Sequence, residues 1–137
     1  MFDWFGFQQG AISFVIAFAA AVLFFGAFKF LYQLVTPYHE RDLIRQGNAA
    51  AAIALGGALI GYVLPLASAL SQTVSLPEFA AWALLAGVIQ IIAFIVVSRV
   101  LYKALAARIE AGEIAAGIYL ASISIGVGLL NAACMTA

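Results

Sequence analysis

The residues able to do chemistry are few, and the densest group of them is His39, Glu40, Arg41, Asp42 and Arg45, between Pro37 and Asn48. Mixed charges of this kind suit a lipid headgroup, a protein partner or a small ligand. The alternative use is a solvated loop whose charges set topology. The spacing matches no catalytic dyad, and no serine has a histidine and an acid arranged around it by a recognisable motif. CxxC, HExxH and His/Cys clusters are absent, so metal chemistry has no support. The expectation is no catalytic residue, no metal, no cofactor and no enzyme activity within this chain.

A second set of polar residues lies in apolar surroundings. Gln90 and Asn131 are amides inside hydrophobic stretches, and Ser68, Ser122 and Ser124 add hydroxyls. A buried amide in hydrocarbon needs a partner. Bonds between helices are the favoured use, and lining a polar path is the other. No carboxylate falls deep in these stretches, which weighs against a proton-coupled transporter and less against a passive channel. Cys134 reads as a small apolar filler.

The elements holding these residues must be membrane helices. Of 137 residues, 66% are hydrophobic and 9% charged, where a soluble domain carries roughly 25% charged residues. Six basic and six acidic residues cancel, so nothing favours nucleic acid. Charges are missing from four windows, each long enough for one span of about 20 residues. Spans are expected at 11–35, 48–71, 79–103 and 113–135. The first is read as retained, since no basic residue precedes Lys29 as a signal peptide requires. Ser75-Leu76-Pro77-Glu78 reads as a capping box opening the third span. Lys29, Arg41, Arg45, Arg99, Lys103 and Arg108 all fall at one end of the four spans. The positive-inside rule puts the connections 36–47 and 104–112 in the cytoplasm and both termini in the periplasm.

Positions 47–70 align with 112–135 at an offset of 65, with nine identities in 24. The chain thus reads as one all-α membrane domain of two helical hairpins, 11–71 and 79–135, related as parallel copies. The second and fourth spans carry small residues at packing intervals: Gly57 with Gly61, Gly117 with Ala121, Ser122 with Gly126, and Ser124 with Gly128. Small side chains let helix backbones approach in lipid. These two spans are expected at the centre, and the bulky first span, dense in phenylalanine, against lipid. Pro65 should kink the second span and free a carbonyl.

Three stretches carry a resemblance. Leu34-Val35-Thr36-Pro37-Tyr38-His39-Glu40 runs into Leu43-Ile44-Arg45-Gln46-Gly47-Asn48-Ala49-Ala50-Ala51; Val88-Ile89-Gln90 follows, and Gly128-Leu129-Leu130-Asn131-Ala132-Ala133-Cys134-Met135 closes the chain. Together they resemble the bacterial inner-membrane family of domain of unknown function 350, the uncharacterised YjfL-like family, over nearly the whole length. The resemblance implies two-helix units and no assigned activity, and its usual genomic neighbours point to envelope stress, polyamines or ion movement. By the matched motifs, Arg45, Gly47, Asn48, Gln90 and Asn131 are the positions to test. The expected function is an oligomeric inner-membrane component of an envelope or stress system, in contact with lipid and with a membrane or cytoplasmic protein. The other reading is a multi-chain channel or passive permease for small cations or polyamines.

Overall fold

Residues 1–136 are described by a computed structural model. Four helices are long and apolar enough to cross a membrane: α1 (Trp4–Val35), α3 (Ala49–Gln72), α4 (Leu76–Val96) and α6 (Ile114–Cys134). Two six-residue helices, α2 (Glu40–Arg45) and α5 (Leu105–Glu110), sit in the connections between spans. A π-helical turn, Val97–Leu101, extends α4 to Leu101.

Local chemistry sets the boundaries. α1 starts seven residues before the expected position because Asp3 caps it, accepting from the Gly6 amide at 3.1 Å. It ends at Val35 because Thr36 precedes Pro37, and a residue before proline is driven into extended backbone. Ser75 caps α4 by accepting from the Glu78 amide at 3.3 Å, with Pro77 in the first turn.

α3 is the centre of the bundle, and α6 packs along it through small residues. A methyl group at Gly57 would collide with Ala121, at Gly61 with the Ser124 carbonyl, at Gly117 with the Ala50 carbonyl, and at Gly128 with the Gly61 carbonyl. Pro65 explains the last contact. It has no N–H for the Gly61 carbonyl four residues back, so that oxygen is free to face the bare Cα of Gly128. Ser122 and Gly126 are not part of this seam. Ser122 is exposed and bonds its own helix at the Ile118 carbonyl, and nothing lies within 4 Å of where a Gly126 side chain would be. Their small-residue spacing falls on the face of α6 turned from α3.

α1 buries only Phe28 and Tyr32 along its 32 residues. It is held by rings: Phe28 stacks on Tyr62 of α3 at 4.4 Å, Tyr32 meets Phe94 of α4 at 4.9 Å, and Phe24 meets Phe79 edge-on at 5.6 Å. Residues 1–10 are all exposed.

The first and third connections meet at the end of the bundle that holds the basic residues, and their backbones match. α2 and α5 begin 65 residues apart and each closes on a left-handed glycine, Gly47 at φ 90° and Gly112 at φ 88°. In both, the glycine amide bonds back three residues and the next amide bonds back five (Asn48 to Leu43, Glu113 to Arg108). Such a turn needs glycine because a Cβ is strained at that φ.

Candidate functional site

Two polar groups of residues stand out, one within the bundle and one at its basic end.

Within the bundle, Gln90 of α4 and Asn131 and Ser124 of α6 are all buried. The Gln90 amide donates to the Ser124 carbonyl at 3.2 Å. The Asn131 amide donates to the Ala86 carbonyl at 3.2 Å and to Gln90 Oε1 at 3.5 Å. These bonds tie α4 to α6 where the Gly61 bare Cα leaves room; a methyl there would lie 3.0 Å from the Gln90 amide nitrogen. Tyr62, which composition counts merely as hydrophobic, does similar work: its hydroxyl donates to the Ala83 carbonyl of α4 at 2.9 Å.

At the basic end, Asn48 spans the two connections. Its Oδ1 accepts from the Ala51 amide at 3.0 Å and caps α3. Its Nδ2 donates to the carbonyls of Ile109 (3.0 Å) and Glu110 (3.2 Å), at the C-terminal end of α5. Arg99 donates to the Val35 carbonyl at the end of α1 at 3.3 Å, where a cation complements the helix dipole. Arg108 and Glu113 pair across the second turn at 2.8 Å, which holds the Glu113 carboxyl below the usual range.

Glu40 departs from the sequence reading. Its charged neighbours His39, Arg41, Asp42 and Arg45, expected with it to contact headgroups or a partner, are exposed. Glu40 is 3% exposed. The chain bends through residues 36–38 between α1 and α2. Thr36, Tyr38 and Glu40 are buried there, while Pro37, His39 and Arg41 are exposed. The Thr36 hydroxyl donates to Glu40 Oε1 at 2.6 Å. Glu40 Oε2 and the hydroxyls of Tyr32 and Tyr38 are buried without hydrogen-bond partners. Burial pushes the Glu40 carboxyl up to about 7, against the opposing effects of the Thr36 hydroxyl and of Lys29. Burial, with the nearby Glu40 charge, also raises the Tyr38 phenol. An open cleft of about 270 Å³ at the surface beside this group is bordered by Gln33, Tyr38, His39, Glu40, Arg41 and Asp42. An alternation of only three residues beside a proline was the sequence signal for it.

Comparison with known proteins gives the family. The model of the family "Domain of Unknown Function (DUF350)" matches residues 6–135. The inner membrane protein YjfL of Escherichia coli K12 is 42% identical over 109 residues, covering 80% of this chain and 82% of its own length; the YjfL of Escherichia coli O157:H7 matches equally. No solved structure matches. The capped turn at Gly47-Asn48 and the buried Gln90 and Asn131 thus lie inside the matched region, and the chain belongs to the DUF350 family of inner membrane proteins.

Proposed function

We propose that this protein is an assembling component of the bacterial inner membrane, without reaction chemistry of its own, serving an envelope or stress system. The observation that carries this reading is the use of the intramembrane amides. Gln90 and Asn131 are buried and bonded between α4 and α6, as structural amides are in lipid. A conducting path would need such groups turned to water. The long, almost wholly exposed α1 supplies the surface for contact with further copies or another membrane protein. In this reading the basic connections face the cytoplasm and present His39, Arg41, Asp42 and Arg45 as the partner-facing patch. The two hairpins are parallel copies of one unit, consistent with the matching turns at Gly47 and Gly112.

Native mass spectrometry of the protein extracted gently from its own membrane tests the reading. A defined homo-oligomer, or a stoichiometric complex with a second protein, is the expected result. A monomer with no partner under conditions that preserve other inner-membrane complexes would overturn it. Cation flux through liposomes holding a homo-oligomer, lost on Gln90→Leu, would replace it with the channel reading.

A further inference from the structure

Beside Glu40, a single hydroxyl is shared among several acceptors. Gln33 is the first place to count. Its carbonyl would normally bond the amide four residues on, but that residue is Pro37, which has none. The Thr36 hydroxyl replaces it, 3.0 Å from the Gln33 carbonyl. The same hydroxyl oxygen lies 3.4 Å from the Tyr38 carbonyl and 2.6 Å from Glu40 Oε1. One hydroxyl hydrogen faces three acceptors. If Glu40 is ionised, Thr36 serves the carboxylate and leaves the Gln33 carbonyl unpaired, and Oε2 still has no donor. A proton on Oε1 supplies the missing hydrogen on the Thr36 side and leaves Oε2 an uncharged carbonyl oxygen, which costs far less to bury than a carboxylate. Glu40 then donates to the Thr36 oxygen, and Thr36 passes its own hydrogen to Gln33.

The charges around the site do not hold an ionised carboxylate either. α1 contributes Lys29 and Tyr32, and the connection contributes Tyr38, with His39, Arg41 and Asp42 turned outward. α3, packed against α2, has no charged residue, and Arg99 beyond α4 is bonded to the Val35 carbonyl. Among the described residues, no cation pairs with Glu40; the salt bridge present is Arg108–Glu113. Nor does the fold demand a carboxylate here. Glu40 is the first residue of α2, and Leu105, the first residue of α5, fills the corresponding place fully buried.

We propose that Glu40 is a proton-binding site at the basic end of the bundle, exchanging with water through the cleft beside Tyr38 and His39. The step is a simple protonation. A hydronium ion in the cleft gives up one O–H bond and leaves as water while a new O–H bond forms on the carboxylate, and the site goes from one negative charge to neutral. The proposal goes beyond the assembly role and does not depend on the oligomeric state. It gives a component without chemistry a means of sensing the pH on the side its charged loops face. The shift of the Glu40 carboxyl toward neutrality agrees with it.

The test is infrared titration of the whole chain in lipid nanodiscs from about pH 5 to about pH 9, following the C=O stretch of a protonated carboxyl. The expected result is one such band disappearing with a midpoint near 7, present in Asp42→Asn and missing in Glu40→Gln. Glu40→Leu, which copies the α5 arrangement, is a second variant in which the band should be missing. A wild-type protein with no carboxyl titrating above pH 6 would overturn the proposal, whether or not either variant folds. So would a band that persists in both variants. A midpoint that drops when potassium chloride replaces choline chloride would also overturn it, making the group a metal-cation site instead.

Discussion

The side-chain amide of Asn48 donates to the carbonyl of Ile109 at 3.0 Å, joining the start of α3 to the end of α5 across 61 residues of chain. The same side chain caps α3 through its oxygen. Asn48→Ala removes both functions. A lost N-cap costs about 1 kcal/mol, and a lost hydrogen bond about 1 kcal/mol, so a total destabilisation of roughly 2–3 kcal/mol is expected. Asn48→Asp keeps the capping oxygen and loses the donors, and should cost roughly half as much. Reversible unfolding in mixed detergent micelles measures both. Wild-type stability in Asn48→Ala would show that the clasp carries no load.

How far the sequence could be read depended on the distance over which each signal acts. Spans follow from windows of hydropathy, so four helices were visible, and Ser75 and Pro77 fixed the start of α4 locally. The helix of the first span extends to Trp4, ahead of the expected 11–35, because a single cap, Asp3 accepting from the Gly6 amide, sets its start. Small-residue spacing identifies α3 and α6 but not their facing sides, and Ser122 and Gly126 lie off the face of α6 that meets α3. Helical periodicity cannot say which of several small stripes meets a neighbour. Glu40 looks like its charged neighbours in the sequence because its burial depends on how the chain bends around Pro37. That bend buries Thr36, Tyr38 and Glu40 near the end of α1 that carries Tyr32, four residues before Thr36. The bonds of Gln90 and Asn131 needed a partner, as buried amides do, but the partners are carbonyls, which every residue has.

Glycines in the same helix should respond in opposite ways to a single methyl group. Gly61→Ala would press on the Ser124 backbone and the Gln90 amide, and overpacking of this kind costs about 1–3 kcal/mol. Gly56→Ala meets nothing within 4 Å and gains helix propensity, so it should be neutral or stabilising by up to about 1 kcal/mol. The same unfolding measurement decides. Equal effects for the two would mean that α6 does not cross α3 along this seam.

The proposed orientation can be read with the chain's own thiol. Cys134 is the single cysteine and is exposed near the end of α6 opposite the basic connections. With both termini in the periplasm, a membrane-impermeant maleimide should label Cys134 in intact spheroplasts. Asp42→Cys in a Cys134→Ser background should be labelled only after permeabilisation, because Asp42 is exposed at the other end. The reverse pattern would invert the topology and move the Glu40 cleft to the periplasmic side.

Protonation at Glu40 makes a signed prediction for stability against pH. The carboxyl lies near 7 in the folded protein and 4.5 when free, so the folded state holds the proton more tightly. The resulting stabilisation is fully present below about pH 4.5 and is lost as pH rises through about 7. The difference across that window is of the order of 3 kcal/mol, from about 1.4 kcal/mol for each pKa unit. Wild-type protein should therefore become easier to unfold between about pH 5 and about pH 8. Glu40→Gln has no charge to bury and should stay nearly level over the same range, so that it overtakes wild type above neutrality. Asp42→Asn, altered at an exposed carboxylate, should keep the wild-type slope. A wild-type profile that rises with pH across this window would mean that Glu40 is ionised in the folded protein and finds a cation there.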